Sequence, residues 1–259
     1  MFSSVFYLWR VFATYFAFVV FNVGGILAAA LAIAICWLIP GSRENKALRA
    51  QRVIHALLAT FIGLLVCLGL LTHSRKDFER LRNARASLVI ANHPTLLDVV
   101  FLIASMPRVD CVVKAALWSN VFMGATVRGA GYIPNHDGAQ LIEACVERLA
   151  LGHHVMLFPE GTRSPAGALR RFQRGAAHVA LRSGCDILPI LITCEPPTLL
   201  KGMPIFKIPP RRPRFSLTVL ESISSTPFLE GGVDTPLAAR KLTAHLEDLY
   251  AQRLGCEFV

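Results

Sequence analysis

Charge is scarce in this chain, and acidic charge scarcest. Of its 259 residues, 17% are charged and 54% are hydrophobic, with a mean hydropathy of +0.50. That balance excludes a disordered polypeptide and exceeds what the core of a soluble domain of this length accounts for. Only 17 acids face 27 lysines and arginines, a formal charge of +10. The bias points to a polyanionic partner, whether nucleic acid, anionic lipid or an acidic carrier protein, and the apolar excess favours lipid. A nucleic-acid motif or basic helix is missing, so no nucleic-acid partner is expected. The seven cysteines, at 36, 67, 111, 145, 185, 194 and 256, form no C-x-x-C pair. This indicates neither a disulfide framework nor a zinc site, and it points to reduced thiols in a cytoplasmic protein. His153 and His154 are adjacent and so poorly placed to converge on a metal. Neither a metal nor a cofactor is expected, and internal repeats are absent.

Long apolar runs are what the chain does have. Val11 to Ile39 carries no charge, more than the roughly 20 residues needed to cross a bilayer core. Ala28, Ala30 and Ala32 offer a signal-peptide reading, but the segment before the run has only Arg10 and apolar sequence continues past them. Pro40-Gly41 stops the helix, and a second uncharged run follows from Val53 to Thr72. The pair predicts a helical membrane hairpin over residues 1–77, with the remaining 78–259 forming a separate unit. Arg43, Lys46, Arg49 and Arg52 lie between the runs; Arg75, Lys76, Arg80, Arg82 and Arg85 follow the second. Both flanks read as cytoplasmic, whereas two full crossings would put them on opposite sides. Either the second run is re-entrant or interfacial, or the whole hairpin dips into one leaflet.

Beyond Phe78, β-branched runs alternate with helical patterns, which predicts an α/β domain with a mixed, largely parallel sheet flanked by helices. Strands are expected at 87–91, 109–113, 155–158, 187–192 and 215–220. Helices are expected at 96–105, 117–127, 139–151, 175–183 and 237–253, the last with Thr235 as cap and Pro236 at its first position. In such a sheet, ligand chemistry gathers at the carboxyl ends of strands. Asn92 to Asp98 and Pro159 to Ser164 are therefore the loops to inspect.

His93 and Asp98, five apart, cannot meet on a continuous helix. Pro94 resolves this by leaving His93 in the loop and opening the helix that carries Asp98, whose side chain tilts back toward the imidazole. A carboxylate on one ring nitrogen makes the other a better base for a hydroxyl proton. In Phe158-Pro159-Glu160-Gly161-Thr162-Arg163-Ser164, a guanidinium, a hydroxyl and a glycine that admits close backbone approach suit a phosphate. Either segment alone has a plain structural explanation, a satisfied histidine or a tight turn with an Arg–Glu pair. Arg170, Arg171 and Arg174 would extend the anion funnel, and the basic, Pro-rich stretch from Lys201 through Lys207, Arg211 and Arg212 to Arg214 suits an acidic carrier or anionic headgroups.

Taken together, the two segments resemble those of the glycerolipid acyltransferases, specifically the lysophosphatidic acid (1-acylglycerol-3-phosphate O-) acyltransferase group of bacterial type. Asn92 to Asp98 matches its Asn-His-x-x-x-x-Asp block, and Phe158 to Ser164 its Phe-Pro-Glu-Gly-Thr-Arg-Ser block. Lys114-Ala-Ala-Leu117 with Gly131-Tyr-Ile-Pro-Asn135 is similar to its middle acceptor-binding block, and Ile187 to Ile192 to its last. The resemblance covers Leu88 to Leu191. It implies acyl transfer from an acyl carrier protein or coenzyme A thioester, as co-substrate, to the free hydroxyl of a lysophospholipid. His93 would be the general base and Asp98 its orienter; direct attack agrees with the lack of a G-x-S-x-G elbow. Asn92, Lys114, Arg128, Gly131, Glu160, Gly161, Thr162 and Arg163 would bind substrate. The setting implied is a bacterial inner membrane, with the catalytic domain on its cytoplasmic face. One residue departs from the pattern: Asn135 stands where many relatives have an arginine, which leaves the acceptor open between lysophosphatidate and a less anionic hydroxyl lipid such as an ornithine lipid. A catalytically silent lipid-binding protein is the competing class.

Overall fold

The computed structural model describes residues 2–136, 138–165, 167–229 and 235–259. In chain order its elements are α1 Phe2–Val19, a π-helical stretch Val20–Gly25, α2 Ile26–Leu38, α3 Arg43–Cys67, β1 Thr72–Lys76, α4 Phe78–Asn83, β2 Leu88–Ala91 and α5 Asp98–Ile103. There follow β3 Asp110–Lys114, α6 Ala115–Trp118, α7 Gly124–Gly129, β4 Ile133–Asn135, α8 Gly138–Ala150, β5 Val155–Leu157, α9 Gly175–Ser183, β6 Ile187–Glu195, β7 Arg214–Val219 and α10 Thr235–Leu254.

The strands form one sheet in the order β1-β7-β6-β2-β5-β3-β4. β6, β2, β5, β3 and β4 run parallel, β7 is antiparallel to β6, and β1 pairs parallel with β7. β2 is central and fully buried, as an apolar strand covered on both faces must be. Its residues alternate between two cores: Val89 and Ala91 pack with α3, α5 and α7, whereas Leu88 and Ile90 pack with α8, α9 and α10. The result is the expected helix-covered, largely parallel sheet.

Three local expectations change. The second apolar run is helical only to Cys67, and Thr72–Lys76 is an edge strand on β7 rather than the end of a membrane helix. The sheet thus draws on residues before 78. The helix expected over 117–127 is broken into α6 and α7, because the Asn120 side chain accepts from the amides of Phe122 and Met123 and closes a turn. A short strand, β4, closes the far edge, where Pro134 is tolerated.

Two helices are long and apolar enough to cross a membrane, over Phe6–Leu38 and Arg43–Cys67. The first touches the sheet domain at both ends. Near its start, Trp9 Nε1 donates to the Leu68 carbonyl (3.0 Å), Arg10 Nη2 to the Pro209 carbonyl (2.5 Å), and Tyr15 stacks on Phe206 at 4.4 Å. Near its finish, Trp37 Nε1 donates to the Gly129 carbonyl (3.2 Å), and a Cβ on Gly129 would lie 2.5 Å from Ile33. α3 is tied down by buried Gln51, which donates to Asp110 Oδ1 and the Ala130 carbonyl and accepts from the Val109 amide. His153 adds a bridge, with Nδ1 2.7 Å from Asp110 and Nε2 3.2 Å from Glu44 of α3.

Candidate active site

Both motif loops leave the carboxyl ends of adjacent parallel strands, β2 and β5. Pro94 keeps His93 out of the helix, and Asp98 is the first residue of α5. His93 Nδ1 lies 2.8 Å from Asp98 Oδ2. With Asp98 as a carboxylate, Nδ1 donates and Nε2 keeps its lone pair, the state a general base needs. Asp98 also accepts from the Thr95 amide and hydroxyl, both at 2.6 Å, and the imidazole lies against Phe158 with ring centroids 4.2 Å apart. The pair is thus held in rotation as well as in distance. Thr95 escaped the sequence reading; its signal was a hydroxyl three residues before Asp98, the spacing of a side-chain cap.

Asp98 is wholly buried, and desolvation pushes its carboxyl up from the usual carboxylate range, against the opposing hydrogen bonds from His93 and Thr95. A raised folded-state value means that the ionised form costs stability above the unfolded carboxylate range, and that this cost fades as pH falls through it. Asp98→Asn is accordingly expected to hold or raise Tm at neutral pH while lowering kcat by about 10²-fold or more. Thermal melts at pH 4 and pH 7, paired with initial rates, check both halves.

Several residues expected to bind substrate make contacts within the protein. Asn92 is buried and spends its amide on both backbone groups of Ile192, at 2.8 Å each, bracketing β2 to β6. Glu160 is also buried: Oε1 accepts from the His93 amide (2.9 Å) and the Ser164 hydroxyl (2.7 Å), and Oε2 from the Arg170 amide (3.0 Å). A carboxylate would in any case repel a phosphate. Its position ties the loop of β5 to the His93 backbone, a role that motif spacing cannot announce. Gly131 has φ +68° and sits against Ala47 of α3, before β4 and so at the amino end of the sheet, away from the motif loops. Arg128 is exposed and donates to the Trp118 carbonyl.

The others stay with the site. Gly161 has φ +68°, and a Cβ there would meet Gln173 Nε2 at 2.6 Å, so the turn requires glycine. Thr162 is half-buried beside it. Arg163 donates through Nη1 to the carbonyls of Leu199 and Leu200, which holds the guanidinium in place. Lys114 is exposed at the carboxyl end of β3, in register with Asn135 of β4. Arg170, expected to extend an anion funnel, turns its Nε to the Arg163 carbonyl.

A family model described as Acyltransferase matches residues 74–193, from β1 into β6 and across both motif loops. The chain is 28% identical over 125 residues to the chloroplastic 1-acyl-sn-glycerol-3-phosphate acyltransferase LPAT1 of Arabidopsis thaliana, a match covering 45% of this chain and 35% of that one. It is 27% identical over 212 residues to the 1-acyl-sn-glycerol-3-phosphate acyltransferase of Helicobacter pylori, covering 70% of this chain and 86% of that one. The chain thus spans about a third of the length of the Arabidopsis relative and 37% of the chloroplastic 1-acyl-sn-glycerol-3-phosphate acyltransferase BAT2 of Brassica napus. In fold the chain is similar to the crystal structure of the 1-acyl-sn-glycerophosphate acyltransferase PlsC from Thermotoga maritima, with a TM-score of 0.71, 19% identity, and coverage of 98% of this chain and 96% of that one. With both motif loops at the mouth of one sheet, residues 74–193 form a domain that matches the Acyltransferase family.

Proposed function

We propose that the protein is a membrane-bound O-acyltransferase that moves a fatty acyl group from an acyl carrier protein or coenzyme A thioester to the free hydroxyl of lysophosphatidate, giving phosphatidate. The observation that carries the reading is the His93–Asp98 pair, oriented from one side with Nε2 left to meet substrate. Nε2 takes the hydroxyl proton as the oxygen attacks the thioester carbonyl; collapse of the tetrahedral species breaks the C–S bond, and the thiolate receives the proton from the imidazolium. No acyl-enzyme and no cofactor are needed. The rest of the Arg163 guanidinium and Lys114 supply positive charge for the acceptor phosphate.

Attachment in a single leaflet is supported by the first helix, whose two ends rest on Pro209 and on Gly129. A helix crossing the bilayer would separate them. Its outward residues, among them Phe12, Phe16, Val23, Leu27 and Leu31, are exposed and apolar, and they face lipid on this reading. The basic segment from Lys201 to Arg214, with Phe206 stacked on the helix, lies against anionic headgroups. The setting proposed is a bacterial inner membrane with the domain on the cytoplasmic side.

One observation favours a second acceptor. Asn135, beside Lys114, is a neutral amide and leaves a single lysine at the carboxyl ends of β3 and β4. That suits a less anionic hydroxyl lipid, such as an ornithine lipid. Mass spectrometry of the lipids formed from palmitoyl-acyl carrier protein with lysophosphatidate or a lyso-ornithine lipid distinguishes the two. Product from neither acceptor, with folded protein and intact donor, would defeat the enzyme reading in favour of a lipid-binding role.

A further inference from the structure

The turn between α6 and α7 carries two neighbouring bulky apolar side chains, Val121 at 89% and Phe122 at 71% exposure. Nothing about the turn is loose. Asn120 Oδ1 accepts from the amides of Phe122 and Met123 at 2.9 Å each, and the Gly124 amide donates to the Asn120 carbonyl at 2.8 Å. Gly124 packs so closely that a Cβ would lie 2.6 Å from the Trp118 carbonyl oxygen, and Arg128 donates to that same oxygen. A polar frame therefore holds two neighbouring hydrophobic residues outward, where water meets them on most sides.

The location matters. This turn follows β3, which lies beside β5 and runs parallel to it, so the tip hangs from the same end of the sheet as the catalytic loops. α7 leads from the tip to Gly129, which packs on Ile33 and Trp37 of α2. α7 thereby joins the segment bearing the tip to the anchor helix, on which Leu31 and Leu38 are 66% and 82% exposed. Lys114 and Arg128 sit at the borders of the tip, cations suited to anionic headgroups.

We propose that Val121 and Phe122 form a second lipid-contacting element, separate from the N-terminal helix, that inserts at the headgroup boundary of an anionic bilayer and holds the mouth of the catalytic cleft against it. Two side chains are too few to anchor the protein; their work is to set its tilt, so that a lipid acceptor reaches His93 without leaving the membrane. The kinetic part of this idea rests on the acyltransferase reading, whereas insertion itself does not.

The test uses the full-length chain in vesicles of phosphatidylethanolamine and phosphatidylglycerol, with or without brominated acyl chains. The difference in tryptophan emission between Phe122→Trp and the native chain is expected to shift blue on adding vesicles and to be quenched by the brominated lipid. Emission that ignores lipid, or a tip buried against a second copy of the chain in lipid-free solution, overturns the proposal. In parallel, Phe122→Glu is expected to raise KM for vesicle-borne lysophosphatidate about tenfold, while rates on a monomeric short-chain acceptor stay within about twofold of native. Equal effects on both acceptors would also overturn it. Native protein inactive on both acceptors would count against the acyltransferase reading and leave the quenching result to decide insertion.

Discussion

Replacing His93 with alanine is expected to lower kcat for acyl transfer by about 10³-fold, the loss typical of a missing general base. The imidazole is only 16% exposed, its Nδ1 is committed to Asp98, and its ring lies on Phe158, which fixes where Nε2 points. No other side chain within the two motif loops is placed to take the proton, since Glu160 is sealed beneath the backbone. Membrane association, which draws on helices far from this ring, is expected to stay at the native level. Rates measured with acyl carrier protein donor, alongside vesicle flotation, separate the possibilities. A His93→Ala protein that retained more than about a tenth of native kcat would show that the base lies elsewhere.

Glu160→Ala is expected to be the most damaging single change outside the base. Its carboxylate satisfies three donors at once, the amides of His93 and Arg170 and the hydroxyl of Ser164. Truncation strands all three in a buried place, a loss of about 3 kcal/mol or more, which in a chain of this size lowers Tm by about 10 °C. Activity should fall further than stability accounts for, because the His93 backbone loses its tether. Glu160→Gln keeps one oxygen for His93 and Ser164 but turns an NH₂ group toward the Arg170 amide, and is expected to fall between the two. Melts and initial rates on all three proteins check the order. An alanine variant as stable and active as native would restore Glu160 as a substrate ligand.

Much of the architecture was legible because its central strands are buried on both faces. Runs such as Leu88–Ala91 and Ile187–Ile192 must be apolar throughout, and they read as such. Edge strands are under no such demand. Thr72–Lys76 is polar and draws its order from pairing with β7, so it hid at the end of an apolar run. The break at Asn120 hid for another reason: one side chain captures two amides that a helix would otherwise use.

At the site, Pro94 made the His93–Asp98 meeting legible, since it forces a change of backbone conformation between them. The roles of Asn92 and Glu160 were not, because their partners lie 100 and 67 residues away, at Ile192 and His93. A polar residue inside a reactive motif looks the same in sequence whether it touches substrate or supports the residue that does.

The first helix has a consequence for the time course of synthesis. Its anchoring partners come late: Leu68 is 59 residues after Trp9, Gly129 is 92 after Trp37, and Pro209 is 199 after Arg10. At about 5–20 residues per second, Arg10 waits roughly 10–40 s for its carbonyl partners to be made. Until the last of these is made, the longest apolar helix of the protein lacks part of what will hold it. Delivery to a membrane during translation would cover that helix over the wait, which folding alone does only at the end.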